Sequence, residues 1–501
     1  MAGRVAALAS ARADRLARGV SESPTSGPAA DLGDAEARPI PALFALVPVL
    51  ALIGFLALVM LALPRWSPGF EGTGHLPLVA AAAVGAIVAR AHGWRWPALE
   101  RGIIGAIQLA MGAVLILCVI GVLMGTWIVG GIVPALITWG LDLLAPSYFL
   151  PTACAVCSSV SLVSGSSWST AGTVGLALVG VGTALGVDPA MTAGAVVSGA
   201  YFGDKLSPMS DTTNLAPAMA GADLFSHVRH MVWTTLPSWL LAMVLYTWLS
   251  IGSTVTPDAG SVAAIQGAIA AQFEPSVLHL VPVVLVIVLV VRRVPALPAL
   301  ALGAALGGVL AMGIEGASFA DVLTAAMKGY KSTTGDAAVD ELLTRGGLES
   351  MESTVLLILC AMTFGGVMES TGMLGSLAAQ LLKLVRSAGS LIATTVLTSV
   401  GINIVAADQY ISIVVPGRMY AAAYREFGLH PKNLSRALED GGTLTSALVP
   451  WNTCGAFMAA TLLVPTVDYL PYAFLNYMNP VIAIGYAMFG ISMVRLPGAK
   501  F

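Results

Sequence analysis

Charge is what this chain has least of. Of its 501 residues only 10% are Asp, Glu, Lys or Arg, against 57% hydrophobic. Soluble domains usually carry roughly 25% charged residues. So few charges cannot cover the water-facing surface of a globule this long, and a soluble fold is excluded. Cysteine is sparse as well. Cys118, Cys154, Cys157, Cys360 and Cys454 all lie among apolar or small residues, which argues against a disulfide framework. Cys154 and Cys157 form a C-x-x-C, yet no second Cys pair or nearby His completes a zinc set. They read as small packing residues on one helix face. No basic tract suggests nucleic acid, and no apolar h-region opens the chain as in a signal peptide. There is no H-E-x-x-H, and no G-x-S-x-G at a plausible elbow, so an intramembrane enzyme is set aside and no cofactor is expected.

What is present is a succession of apolar runs. A spanning helix needs about 20 mostly apolar residues. Clear candidates begin at 41–63 and 76–91, continue through 103–126, 231–251, 297–314 and 353–373, and end at 469–494. The expected fold is an all-α polytopic membrane protein of roughly ten to twelve spans, with broken or re-entrant segments among them. Residues 1–40 stand apart. They hold ten charges, Arg4, Arg12, Arg15 and Arg18 among them, then a Ser/Pro/Gly/Ala-rich stretch, and read as a flexible cytoplasmic extension. Residues 41–255 form a first half. Residues 256–350 supply connecting spans and an amphipathic segment at 319–348. Residues 351–501 form a second half. Arg90, Arg95 and Arg101 follow the second span, so the positive-inside rule places the N-terminus in the cytoplasm. Lys432 and Arg436 then read as a cytoplasmic end. His227 and His230 read as a cytoplasmic flank.

The two halves repeat a pattern. Residues 203–218 can be laid on 441–456, with Leu206 against Leu444, Ser207 against Thr445 and Asn214 against Asn452. Upstream, Ser166-Ser167-Trp168 sits opposite Asp408-Gln409-Tyr410. In each half polar residues interrupt a helix, and a Gly/Pro/Thr/Asn-rich interruption follows about 40 residues later. Paired interrupted helices in corresponding places are the best sequence pointer to a transporter's binding site, and they fit alternating access better than an open pore.

The most polar interruption reads Gly203-Asp204-Lys205-Leu206-Ser207-Pro208-Met209-Ser210-Asp211-Thr212-Thr213-Asn214. A charge at the bilayer centre costs roughly 2.5–3.5 kcal/mol or more, so such groups persist in pairs, in wet cavities or around an ion. Asp204 and Lys205 are adjacent and can partly neutralise each other. Asp211 has no such neighbour, and Thr212, Thr213 and Asn214 add hydroxyl and amide oxygens. That oxygen set suits a small hard cation. Gly203 and Pro208 are where the helix is expected to unwind and free carbonyls, with Pro450 the counterpart in the second half. The expected Na⁺ ligands are Asp211, Asn214, Asp408 and Asn452, with Asp204, Thr212, Thr213, Thr453, Ser166 and Ser167 around them. A carboxylate in such a site can hold either a proton or face Na⁺. Asp211 is the favoured residue, with Glu369, Glu439 and Asp440 as reserves. The expected transported ions are Na⁺ and H⁺, with an organic acid left open through Lys205 or Arg418.

The run Gly199-Ala200-Tyr201-Phe202 leading into residues 203–214 resembles the signature of the NhaC-type sodium/proton antiporter family. The second-half run 403–410 and the segment 438–453, with Pro450-Trp451-Asn452-Thr453, are similar to it too. The resemblance covers about residues 40–495. It implies a bacterial or archaeal inner-membrane carrier with two inverted repeats, each with a re-entrant hairpin and a broken helix. It implies homodimers built from a scaffold part and a moving part, and Na⁺/H⁺ exchange. Some relatives exchange malate and protons for lactate and sodium. The N-terminal extension lies outside the family pattern.

Overall fold

A computed structural model describes residues 38–67, 74–252, 259–292, 294–383 and 385–497. Residues 1–37 of the expected N-terminal extension lie outside the described residues. The described chain is helical, with a single isolated bridge between Leu429 and Arg495.

The first half opens with α1 (Ala42–Ala57), carried through a wide π turn at Leu58–Ala62 to Leu63–Trp66. Then come α2 (His75–Ala91), α3 (Trp96–Val129), α4 (Ile132–Leu143) and α5 (Pro146–Ser164). The next helix, α6, starts at Ser167–Thr170, widens into a π turn at Ala171–Gly175 and ends with Leu176–Ala184. It is followed by α7 (Pro189–Leu206), α8 (Asp211–Ala220) and α9 (Leu224–Gly252). The linking region holds α10 (Ala259–Ala270), α11 (Leu280–Val291), α12 (Ala296–Gly313), α13 (Phe319–Lys328) and α14 (Ala337–Leu343).

The second half comprises α15 (Glu352–Ser370), α16 (Met373–Leu382), α17 (Ala388–Val405) and α18 (Gln409–Glu426). Helix α19 runs from Pro431–Leu438 through a π turn at Glu439–Thr443 to Leu444–Ser446. It is followed by α20 (Thr453–Leu462), α21 (Thr466–Tyr469) and α22 (Phe474–Phe489).

Among the described residues seven helices are long and apolar enough to cross a membrane. A bent pair, α20 with the segment 466–472, turns through 92° and adds an eighth span or a re-entrant loop. The ten to twelve expected spans thus resolve into these and four shorter apolar helices, His75–Ala91, Ile132–Leu143, Val277–Val290 and Met373–Leu382. Large apolar side chains point outward along the spans, as a lipid-facing surface requires. Leu43, Leu50 and Ile53 do so on α1, and Leu240, Val244 and Trp248 on α9. The amphipathic segment expected at 319–348 divides into α13, started by a Ser318/Asp321 capping box, and the short α14.

Helix α3 is the longest element. At 1.5 Å per residue its 34 residues run about 51 Å, longer than a hydrocarbon core of about 30 Å. It packs against α12, α13 and α15. The other large packing unit is the pair α5 and α7. Glycine makes it possible. A Cβ on Gly199 would run into Cys157, and one on Gly203 into Ser161 and Leu162. The Cys154/Cys157 face is therefore a helix-packing surface. Gly203 lies inside α7, which stays helical to Leu206. Its role is close approach, and the expected unwinding begins four residues later, at 207–210.

Candidate functional site

Four helix breaks shape the site, and the first and third share one backbone design. Helix α5 ends at Gly165, with φ +72°, and Ser166 is extended (φ −144°, ψ 116°). Helix α17 ends near Ala407, with φ +58°, and Asp408 is extended (φ −140°, ψ 135°). In both, a left-handed residue turns the chain and a polar N-cap starts the next half-helix. Ser166 accepts from the Ser169 amide at 3.1 Å. Asp408 Oδ1 accepts from the Tyr410 and Ile411 amides at 2.9 and 3.0 Å. Ala407 is not glycine, so its conformation carries strain of order 1–3 kcal/mol, held by the Thr453 amide donating to its carbonyl at 2.9 Å.

Each of these breaks touches the second break of its own half. A Cβ on Gly165 would lie 2.8 Å from Met209, in the break at 207–210. Ser167 donates to Asp204 Oδ2 at 2.6 Å, and Ser210 lies close enough to interact with the same carboxylate. In the other half Thr453 donates to Asp408 Oδ2 at 3.4 Å. Asn452 donates to Asn403 Oδ1 at 3.1 Å, and Asn403 in turn donates to the Gly442 carbonyl at 2.6 Å.

The two halves meet around Tyr410, which lies within electrostatic reach of Asp204, Asp211 and Asp408. Trp168 of the first half stacks on Phe457 of the second, centroids 3.9 Å apart.

The expected ligands divide. Asp204 and Ser167 are buried together in the first half, and Asp408, Asn452 and Thr453 in the second. Asp211 and Asn214 are exposed at the start of α8. The Asn214 amide nitrogen is committed to the Pro208 and Ser210 carbonyls at 2.9 and 2.7 Å. Thr213 donates to the Asp204 and Lys205 carbonyls at 3.0 and 2.9 Å and closes the end of α7. Thr212 meets Ser210 at 3.1 Å. Pro208 and Pro450 both lie within breaks. Glu369 is on α15, within electrostatic reach of Asp408. Among the described residues no three His, Cys, Asp or Glu side chains converge as a metal cluster. The oxygens on offer are hydroxyl, amide and carbonyl groups beside single carboxylates.

Three charged groups depart from expectation. Lys205 turns away from Asp204 and forms a buried ion pair with Asp440 of α19, while also donating to Asn479 of α22 at 2.8 Å. Thr234 of α9 donates to the same Asp440 oxygen at 2.9 Å. Arg436, Glu439 and Asp440 are fully buried rather than at a cytoplasmic end. Arg436 binds Ser492 and sits 3.7 Å from Asp440. His227 and His230 are buried as well, His227 against Ser435 at 2.8 Å. The i, i+4 spacing of Arg436 and Asp440 was the sequence signal for this cluster. Lys432 nearby made it read as a helix end.

An all-helical membrane protein with paired broken helices meeting at buried carboxylates is the architecture of a secondary carrier. The chain belongs to the Na⁺/H⁺ antiporter family, whose model matches residues 199–491. It is similar to the Na⁺/H⁺ antiporter NhaC of Alkalihalophilus pseudofirmus, 40% identical over 84% of this chain and 91% of that one. It is also 40% identical to the Na⁺/H⁺ antiporter NhaC of Bacillus subtilis, over 82% and 91%. The malate-2H⁺/Na⁺-lactate antiporter of Bacillus subtilis is 35% identical over 90% and 95%.

Proposed function

We propose that this carrier exchanges Na⁺ for H⁺ across a bacterial inner membrane, with Na⁺ held where the four breaks meet. The observation that carries the reading is the burial of Asp204, in the last turn of α7, and of Asp408, at the break before α18. Each has a hydroxyl on its carboxylate, and both lie within reach of Tyr410. Asp204, Ser167, Asp408 and Thr453 are the proposed ligands, with carbonyls of the breaks completing the shell. Asn452 sets the position of Asn403. Asp211, at the exposed mouth, attracts the cation and does not hold it. The two halves work as inverted repeats that present the site to either side in turn.

The N-terminus is proposed to face the cytoplasm. The Arg38 amide bonds the His92 carbonyl at 3.1 Å, so the chain start and the α2–α3 link share one side. Exposed Arg90, Arg95 and Arg101 cluster there.

An organic acid needs a fixed cation. Among the described residues Lys205 and Arg436 are both engaged by Asp440, and Arg418 is exposed. This favours inorganic exchange. In vesicles with an internal pH probe, a Na⁺ gradient alone should drive proton movement, and malate or lactate should not alter it. A requirement for either acid would refute the reading.

A further inference from the structure

Glu439 belongs to no contact described so far. It sits on the π turn of α19, fully buried, and neither carboxyl oxygen has a hydrogen-bond partner among the described residues. The Thr443 hydroxyl on the same wide turn lies near enough to influence it but makes no well-aligned hydrogen bond. A buried carboxylate left without hydrogen bonds is costly as an anion and is retained for a reason other than stability.

Its electrostatic setting is specific. Helix α7 brings Lys205 and Asp204 within reach of it, and Asp440 adjoins it on α19. Arg436 lies one turn back. Helix α9 contributes the buried rings of His227 and His230. Helix α8 carries Asp211 at its exposed end, and α18 carries Tyr410 and, further along, exposed Arg418. Helix α17 has no titratable residue, and α22 has only Tyr477 and Tyr486. The buried cluster then counts two cations, Lys205 and Arg436, against one anion, Asp440. Ionised Glu439 brings it to balance, and protonated Glu439 leaves it one charge positive. The difference is felt at Asp204, the carboxylate proposed for Na⁺.

We infer that Glu439 carries the exchanged proton, so that Na⁺ and H⁺ occupy different carboxylates and exclude one another through the field across α7 and α19. Ionised Glu439 favours Na⁺ at Asp204. Na⁺ at Asp204 favours loss of the Glu439 proton. No bond other than the carboxyl O–H forms or breaks. The inference rests on the Na⁺/H⁺ reading above. The alternative is one carboxylate, Asp204 or Asp408, shared by both ions.

The test uses the full chain in proteoliposomes. Two fluxes are read for wild type, E439Q and E439D: Na⁺-driven proton movement, and exchange of radioactive for unlabelled Na⁺. E439Q fixes the cluster in the charge state of protonated Glu439, so we expect proton movement to fall at least tenfold while Na⁺–Na⁺ exchange persists at a raised Na⁺ concentration. E439D should keep both, with a displaced pH profile of proton movement. Wild-type proton movement in E439Q overturns the inference. So does loss of Na⁺–Na⁺ exchange even at saturating Na⁺ in either variant, which would place Glu439 in sodium handling or in the fold. Failure of the underlying reading looks different, because the wild type itself would then move no protons in response to Na⁺.

Discussion

Replacing Asp440 by Asn should destabilise the protein more than replacing Lys205 by Met, and combining the two should restore part of the loss. Asp440 sits between Lys205 and Arg436, with Thr234 on one oxygen. Removing one partner of a buried pair costs about 3–5 kcal/mol, because the survivor stays buried and uncompensated. K205M leaves Asp440 with Arg436 and Thr234, so about 3 kcal/mol is expected. D440N strands two like charges, so about 5 kcal/mol is expected. The double variant strands only Arg436 and should fall between them at about 3–5 kcal/mol, short of the sum of the single losses by about 3–5 kcal/mol. The assay is unfolding of purified protein in detergent by added denaturant, at mildly acidic pH. Equal midpoints for the two single variants, or a double variant that loses their sum, would refute the charge arrangement.

Three further outcomes follow from the site. D204N should abolish Na⁺-driven proton movement, whereas D211N should only raise the Na⁺ concentration needed for half-maximal flux, both read with a pH probe in vesicles. G203A places a methyl against Ser161 and Leu162 and should cost about 1–3 kcal/mol by overpacking, seen as a lower melting temperature in detergent. W168A removes the stack on Phe457. It should lose about 0.5–1.5 kcal/mol beyond its area burial, measurable in a double-variant cycle with F457A.

Class and site region were legible because they rest on composition and on interruptions in apolar runs. Residues 203–214 and the run Pro450-Trp451-Asn452-Thr453 stood out as polar groups where lipid requires apolar ones, and each contains a break in the structure. The order of ligands was not legible. Asp211 looked isolated and Asp204 looked paired because adjacency in sequence was all that could be compared. In space the residue after Asp204 reaches 235 positions along to Asp440. Helix α7 runs three residues beyond Gly203, so Asp204 is locked in a helix and Asp211 begins the next one outside. Asn214 illustrates the same limit. An amide near a break reads equally well as an ion ligand and as a cap, and only the Pro208 and Ser210 carbonyls show which. The left-handed turn at Ala407 had no sequence signal, since alanine rarely adopts it.

The glycines of α7 bear on how such a carrier moves. Gly199 and Gly203 let α5 and α7 touch backbone to backbone, and Gly165 seats the end of α5 on the break after α7. Meshed main chains cannot ratchet past each other as side-chain contacts can. The two helices and both first-half breaks therefore pack as one stiff unit. That unit borders α9, α19 and α22. Those are the three helices whose polar groups close on Lys205 and Asp440, so a buried ion pair lies at the edge of the stiff unit.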